Sequence, residues 1–282
     1  MEKELVRRLE DKAIDIRKKL CETTLEIGPI HIGGSLSATD VAVALYYQFM
    51  NYDPGNPDWE DRDRFILSKG HIGCLLYNIF ADLGIYEWDD FYKGYNKIEG
   101  SFGQHPNRKY LKGIEASTGS LGHGLSLAVG LAMAGRADKK DWRVFCMMGD
   151  GELQEGSVWE AAMAGGHFRL GNLVAIVDRN GYQISGSTED VVSIEPLEEK
   201  WTAFGWEVIT IDGNNMSEVV NVFENLPKSD SVEQRKPICI ISRTKKGAGI
   251  DFMENVAKWH IGSVDEETLK KCYASIEKSG RK

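Results

Sequence analysis

Apolar residues along this chain follow two rhythms. Short apolar runs at 144–148 and 173–177 have the pattern of buried strands, and 64–67, 206–211 and 238–242 supply further strands. Between them the spacing changes to helical. Leu5, Leu9, Ile16 and Leu20 line one face of an N-terminal helix. Ser37 and Thr39 lead a helix running through Phe49, and small apolar residues over 121–134 predict a closely packed, buried helix. Residues 155–168 read as the crossover helix between the second and third strands. Over 263–276 a helix is expected to start from a capping box, Ser263 with Glu266. Alternating strand and helix predicts an α/β fold, a doubly wound, mainly parallel sheet flanked by helices. No low-complexity linker or internal repeat interrupts the sequence, so residues 1–282 are expected to form a single domain.

Charge and cysteines narrow the class. The net charge of −9 argues against a nucleic-acid or anionic-membrane partner, because neither is attracted to an acidic surface. The N-terminal helix is charged and amphipathic, unlike a signal peptide or a membrane span. The five cysteines are scattered, with no CxxC pair, and Cys146 and Cys239 sit inside apolar runs as reduced core residues. A cytoplasmic protein is expected.

The candidate chemistry lies at the ends of two strands. Gly149-Asp150-Gly151 follows one apolar run and Asp178-Arg179-Asn180 follows the next. A right-handed crossover returns the second strand parallel to the first, so Asp150 and Asn180 leave the sheet at its carboxyl edge, where open α/β sheets bind ligands. A carboxylate and an amide oxygen delivered together suit a hard cation such as Mg²⁺, which keeps places open for water and phosphate oxygens. A metal-bridged diphosphate is the chemistry expected. The long polar stretch 100–119 adds a candidate functional loop.

Four motifs in order extend this reading. Leu67-Ser68-Lys69-Gly70-His71, Thr118-Gly119-Ser120-Leu121-Gly122-His123-Gly124, Gly149-Asp150-Gly151 with Asn180, and Trp259-His260 together resemble the diphosphate-binding domain of transketolase. The resemblance runs from the His31 loop to His260. It implies thiamine diphosphate with Mg²⁺ (or Ca²⁺ or Mn²⁺) as cofactors, the metal held by Asp150, Asn180 and the carbonyl of Tyr182. It also implies cofactor contacts from His71, Gly119, Ser120, Leu121, Gly151, Glu155, Glu160, Asn180, Ile184 and His260. His31, His105 and His260 would line the sugar channel, and Glu155 would act catalytically with Glu160 in a carboxylate network crossing a subunit interface. His123 stands where many relatives have Gln, and His167 reads as structural.

In relatives the pyrimidine-binding and C-terminal domains follow this segment, with the glutamate that activates the cofactor and the arginines that hold sugar phosphate. This chain ends about twenty residues after His260. The resemblance therefore implies half an enzyme, transferring a two-carbon ketol unit from a ketose to an aldose. It would be active only with a C-terminal transketolase subunit carrying the pyrimidine-binding domain, in an α2β2 heterotetramer. Alternatives are the α subunit of a 2-oxoacid dehydrogenase, a split 1-deoxyxylulose-5-phosphate synthase-like enzyme and a non-catalytic thiamine diphosphate-binding module. The His31 loop and the Ser68–His71 turn favour transketolase. A nicotinamide site is excluded, since no GxGxxG follows a first strand.

Overall fold

The computed structural model describes residues 2–227 and 235–280. The chain opens with α1 (Glu2–Ile27), α2 (Ile32–Ala44) and a single π-helical turn (Leu45–Phe49). Strand β1 (Arg64–Leu67) leads through α3 (Gly73–Asp82) and α4 (Trp88–Gly94) into a long irregular stretch, then α5 (Gly124–Ala137). Next come β2 (Val144–Gly149), α6 (Gly156–His167) and β3 (Leu173–Arg179). A small hairpin of β4 (Tyr182–Gln183) and β5 (Gly186–Ser187) follows, with α7 (Thr188–Val191) and α8 (Leu197–Ala203). The described chain finishes with β6 (Glu207–Asp212), α9 (Met216–Glu224), β7 (Ile238–Arg243) and α10 (Glu266–Ser279).

The main sheet has the order β1-β2-β3-β7-β6, with every neighbouring pair parallel. Strands β1, β2, β3 and β7 are buried on both faces, while the edge strand β6 is largely open, so alternate residues of the inner strands feed two cores. Phe65, Leu67, Phe145, Met147, Val174 and Ile176 point into one, with Leu9, Ile16 and Leu20 of α1. Ile66, Val144, Cys146, Met148, Ala175 and Val177 point into the other, with Leu125 and Ala128 of α5 and Val158 of α6. Burying a Leu or Ile of this kind contributes roughly 1.5–3 kcal/mol. The five cysteines are free and buried.

Several boundaries differ from the sequence reading. Helix α2 begins at Ile32, with His31 as its N-cap, because the small residues from Gly33 to Ser37 all pack inside. The final helix is capped by Asp265, whose carboxylate accepts from Thr268 N at 2.8 Å, in place of Ser263. Asp265 lies three residues before a free amide, and a carboxylate also favours the helix N-terminus. The crossover helix starts at Gly156, because residues 151–154 form a 3-10 turn and Glu155 is extended. Helix α5 is shifted to Gly124–Ala137 and is buried on one side only, leaving Ser126, Leu127, Gly130 and Met133 exposed. No helix among the described residues is long and apolar enough to cross a membrane.

Candidate functional site

Register places the two site loops side by side. Gly149 pairs with Asp178 at the ends of β2 and β3, so the chain leaves both strands at one edge. Asp150 is buried. One carboxylate oxygen, Oδ2, accepts from Gly181 N at 2.6 Å and Arg179 Nη1 at 3.0 Å, and the other, Oδ1, accepts from Gly151 N at 2.8 Å. Burial and the neighbouring Asp178 raise its pKa, against the bonds from Gly181 and Arg179. Asn180 is turned by its amide nitrogen, which donates to Asp178 Oδ2 at 3.0 Å, while its Oδ1 accepts from Tyr182 N at 3.1 Å.

Beneath this lip lies a charge hub that sequence reasoning passed over. Asp178 is buried, and its Oδ2 accepts from Lys69 Nζ at 2.5 Å and Ser37 Oγ at 2.7 Å, while Oδ1 accepts from Thr244 Oγ1 at 2.5 Å. Burial pushes its pKa up, but the Lys69 charge and these hydrogen bonds outweigh burial and hold it below the usual carboxylate range. Lys246 is equally buried, contacting Tyr182 O at 3.4 Å and His260 Nδ1 at 2.8 Å. Burial and then Lys69 depress its pKa to about 8, against the pull of Asp150 and Asp178. Two buried lysines thus stand at this edge of the sheet, Lys69 paired with Asp178 and Lys246 set against His260 and the Tyr182 carbonyl. The hub's partners lie far apart in sequence, and Lys246 in Thr244-Lys245-Lys246-Gly247 looks like a surface lysine. Only its apolar neighbour β7 hinted otherwise.

The donor set fits the expected metal. Asp150 carboxylate, Asn180 amide oxygen and Tyr182 carbonyl are all hard oxygens, and Asp150 Oδ1 has lone-pair capacity beyond its one amide contact. Among the described residues no cluster of three or more His, Cys, Asp or Glu could hold a metal ion, so the set would depend on the amide and carbonyl oxygens. At Gly151 an added Cβ would lie 3.0 Å from Gln183 Cβ, so the hairpin side chain covers this glycine.

Three of the predicted histidines meet. The ring centroids of His31 and His71 are 4.9 Å apart, those of His31 and His260 5.2 Å, and those of His71 and His260 5.8 Å. Burial is the first cause that lowers all three pKa values; His105 and then Lys246 add to it at His31 (to about 4), Lys246 and then His31 at His260 (to about 3), and Lys69 and then His31 at His71, which falls further. They are neutral imidazoles at pH 7. His105 is more exposed and lies against the Gly119 turn, where φ is +138° and a Cβ would come within 2.8 Å of its ring. The loop is fixed from below by buried Glu152, which bonds Ser68 Oγ, Gly122 N at 2.9 Å and Gly149 N at 3.0 Å. This carboxylate was also missed, its partners being backbone amides that leave no mark in the sequence.

Other predicted residues stand apart. Ser120 is exposed and Leu121 half-buried, and His123 turns back on its own loop, its Nδ1 3.2 Å from Leu121 O. Ile184 sits 67% exposed at the hairpin tip. Glu155 and Glu160 are exposed, their carboxylates with no hydrogen-bond partner among the described residues, so the buried carboxylate network is not formed within this chain.

Comparison with known proteins agrees with this geometry. Residues 11–276 match the family model for the transketolase thiamine diphosphate binding domain. The chain is 42% identical over 270 residues to an apulose-4-phosphate transketolase subunit of Phocaeicola vulgatus, covering 93% of this chain and 92% of that protein. It is 41% identical over 272 residues to 6-deoxy-6-sulfo-D-fructose transketolase subunit SqwG of Clostridium sp. (strain MSTE9), covering 96% and 97%. The solved transketolase from Leishmania mexicana superposes with a TM-score of 0.86 at 28% identity, over 97% of this chain but 42% of that one.

Proposed function

This chain belongs to the transketolase family through its thiamine diphosphate-binding domain, and on that premise we propose that it is the N-terminal subunit of a split transketolase. As such it moves a two-carbon ketol unit from a ketose to an aldose. Bound thiamine diphosphate supplies the reactive carbon and electron sink for that chemistry. Asp150, Asn180 and Tyr182 O would hold Mg²⁺ and with it the diphosphate, Lys246 and His71 would be further partners, and Gly119, Ser120, Leu121, Gly151 and Ile184 would face the cofactor. The observation that carries this reading is the placement of three neutral, touching histidines beside the Asp150–Asn180 lip. Neutral imidazoles give and accept hydrogen bonds to sugar hydroxyls without placing charge in the channel.

Glu155, which caps α6, and Glu160 within it are exposed, as are Leu127 and Met133 of α5 and Met163 and Phe168 of α6 and its C-cap. We assign this face to subunit contact within an α2β2 assembly. The second chain carries the pyrimidine-binding domain, the activating glutamate and the groups that recognise the sugar phosphate. Buried free cysteines fit a reducing, cytoplasmic setting. Residues 1–282 act as one diphosphate-binding domain. The test is Asp150→Ala in the assembled enzyme. Loss of cofactor binding with retained fold supports the assignment, and retained Mg²⁺-dependent transfer contradicts it.

A further inference from the structure

Gln104 belongs to the long irregular stretch before α5, yet it is firmly held. Tyr77 Oη donates to the neighbouring Gly103 carbonyl at 3.0 Å, and Gln104's own carbonyl packs on Gly73, where a Cβ would lie 3.0 Å away. From this anchored position its side-chain Nε2 comes 3.0 Å from Nδ1 of His31. An amide NH2 has hydrogens and no acceptor site, so in this contact Nδ1 must be the lone pair. A neutral imidazole then carries its single proton on Nε2.

His31 is held just as firmly. It caps α2, its carbonyl accepts from Ser35 N at 3.2 Å and Ser35 Oγ at 2.9 Å, and its ring packs edge-on to His71 and His260. No protein group among the described residues bonds its Nε2. We propose that Gln104 is a positioning residue: by donating to Nδ1 it fixes the His31 proton on Nε2, so His31 meets the sugar as a hydrogen-bond donor and not as a base. This rests on the transketolase reading for the identity of the ligand, but the proton placement belongs to the chain itself. His260 offers an internal control. Its Nδ1 faces Lys246 Nζ at 2.8 Å, so it holds the same tautomer through a different donor.

The test is nitrogen-15 NMR of the full chain labelled at histidine, with the His31 signals assigned by their loss in His31→Asn. The wild type is expected to show unprotonated Nδ1 and protonated Nε2. Gln104→Glu presents a carboxylate that only accepts, so the proton should move to Nδ1 of His31, while the His260 tautomer stays unchanged and reports an intact site. Gln104→Leu should give a mixture of tautomers, and decides the matter if the glutamate variant does not fold. In the assembled enzyme Gln104→Glu is expected to lower kcat roughly tenfold, the worth of one hydrogen bond to the reacting sugar, at unchanged thiamine diphosphate affinity. A wild-type proton on Nδ1, or a tautomer that ignores both substitutions, would overturn the proposal. So would unchanged turnover in Gln104→Glu once its tautomer has reversed. Should the assembly lack ketol transfer while the tautomer behaves as described, the transketolase reading fails and the proton placement by Gln104 stands.

Discussion

At the carboxyl edge of the sheet, Asp150, Asp178, Asn180 and Lys69 all have protein partners, whereas at the start of α6 and within it the carboxylates of Glu155 and Glu160 have none among the described residues. Leu127 and Met133 of α5, Met163 of α6 and its C-cap Phe168 stand exposed as well. The first region is finished by this chain: its charges are desolvated, and each carries enough hydrogen bonds to offset that cost. The second presents apolar side chains and carboxylates to solvent, the features on which the subunit contact is proposed.

The largest effect should come from breaking the finished region. Asp178→Ala leaves Lys69 buried without its carboxylate and is expected to cost about 3–5 kcal/mol in chemical denaturation. Next, Asp150→Asn keeps the shape and removes the charge, and calorimetric titration should show Mg²⁺–thiamine diphosphate affinity falling by roughly 100-fold, about 2.7 kcal/mol. Acid should act on the same region through the histidines. Their folded pKa values lie below the unfolded value, so their stabilising contribution is complete above about pH 6.5 and is lost as pH falls toward the folded values of about 4 for His31 and about 3 for His260. A His31→Asn, His260→Asn double variant should show a flatter fall in Tm between pH 7 and 5 than the wild type. The smallest effect on folding belongs to the open face. Met163→Glu should change the stability of the isolated chain by less than about 0.5 kcal/mol, while light scattering shows a smaller assembly.

The same contrast explains what could be read from sequence. The central strands declared themselves as unbroken apolar runs, 144–148 and 173–177, and Asp150 and Asn180 followed from the crossover between them. Asp178 stood in plain view, but its role depends on Lys69 and Thr244, which only the folded sheet brings within hydrogen-bond distance. Lys246 was hidden by an adjacent, exposed lysine. Helix ends slipped where several capping residues compete, as with Ser263 and Asp265. The buried helix expected over 121–134 is buried on one side only, because its small apolar residues run all round it and periodicity does not tell which of them face the core.

The most direct test is a ketol-transfer assay on this chain recovered from its native lysate, alone and then with the subunit that co-purifies with it. With Mg²⁺ and thiamine diphosphate present, the account predicts no transfer by the chain alone and transfer once a pyrimidine-domain subunit is added. Turnover by the isolated chain, or none after the partner is restored, would contradict it.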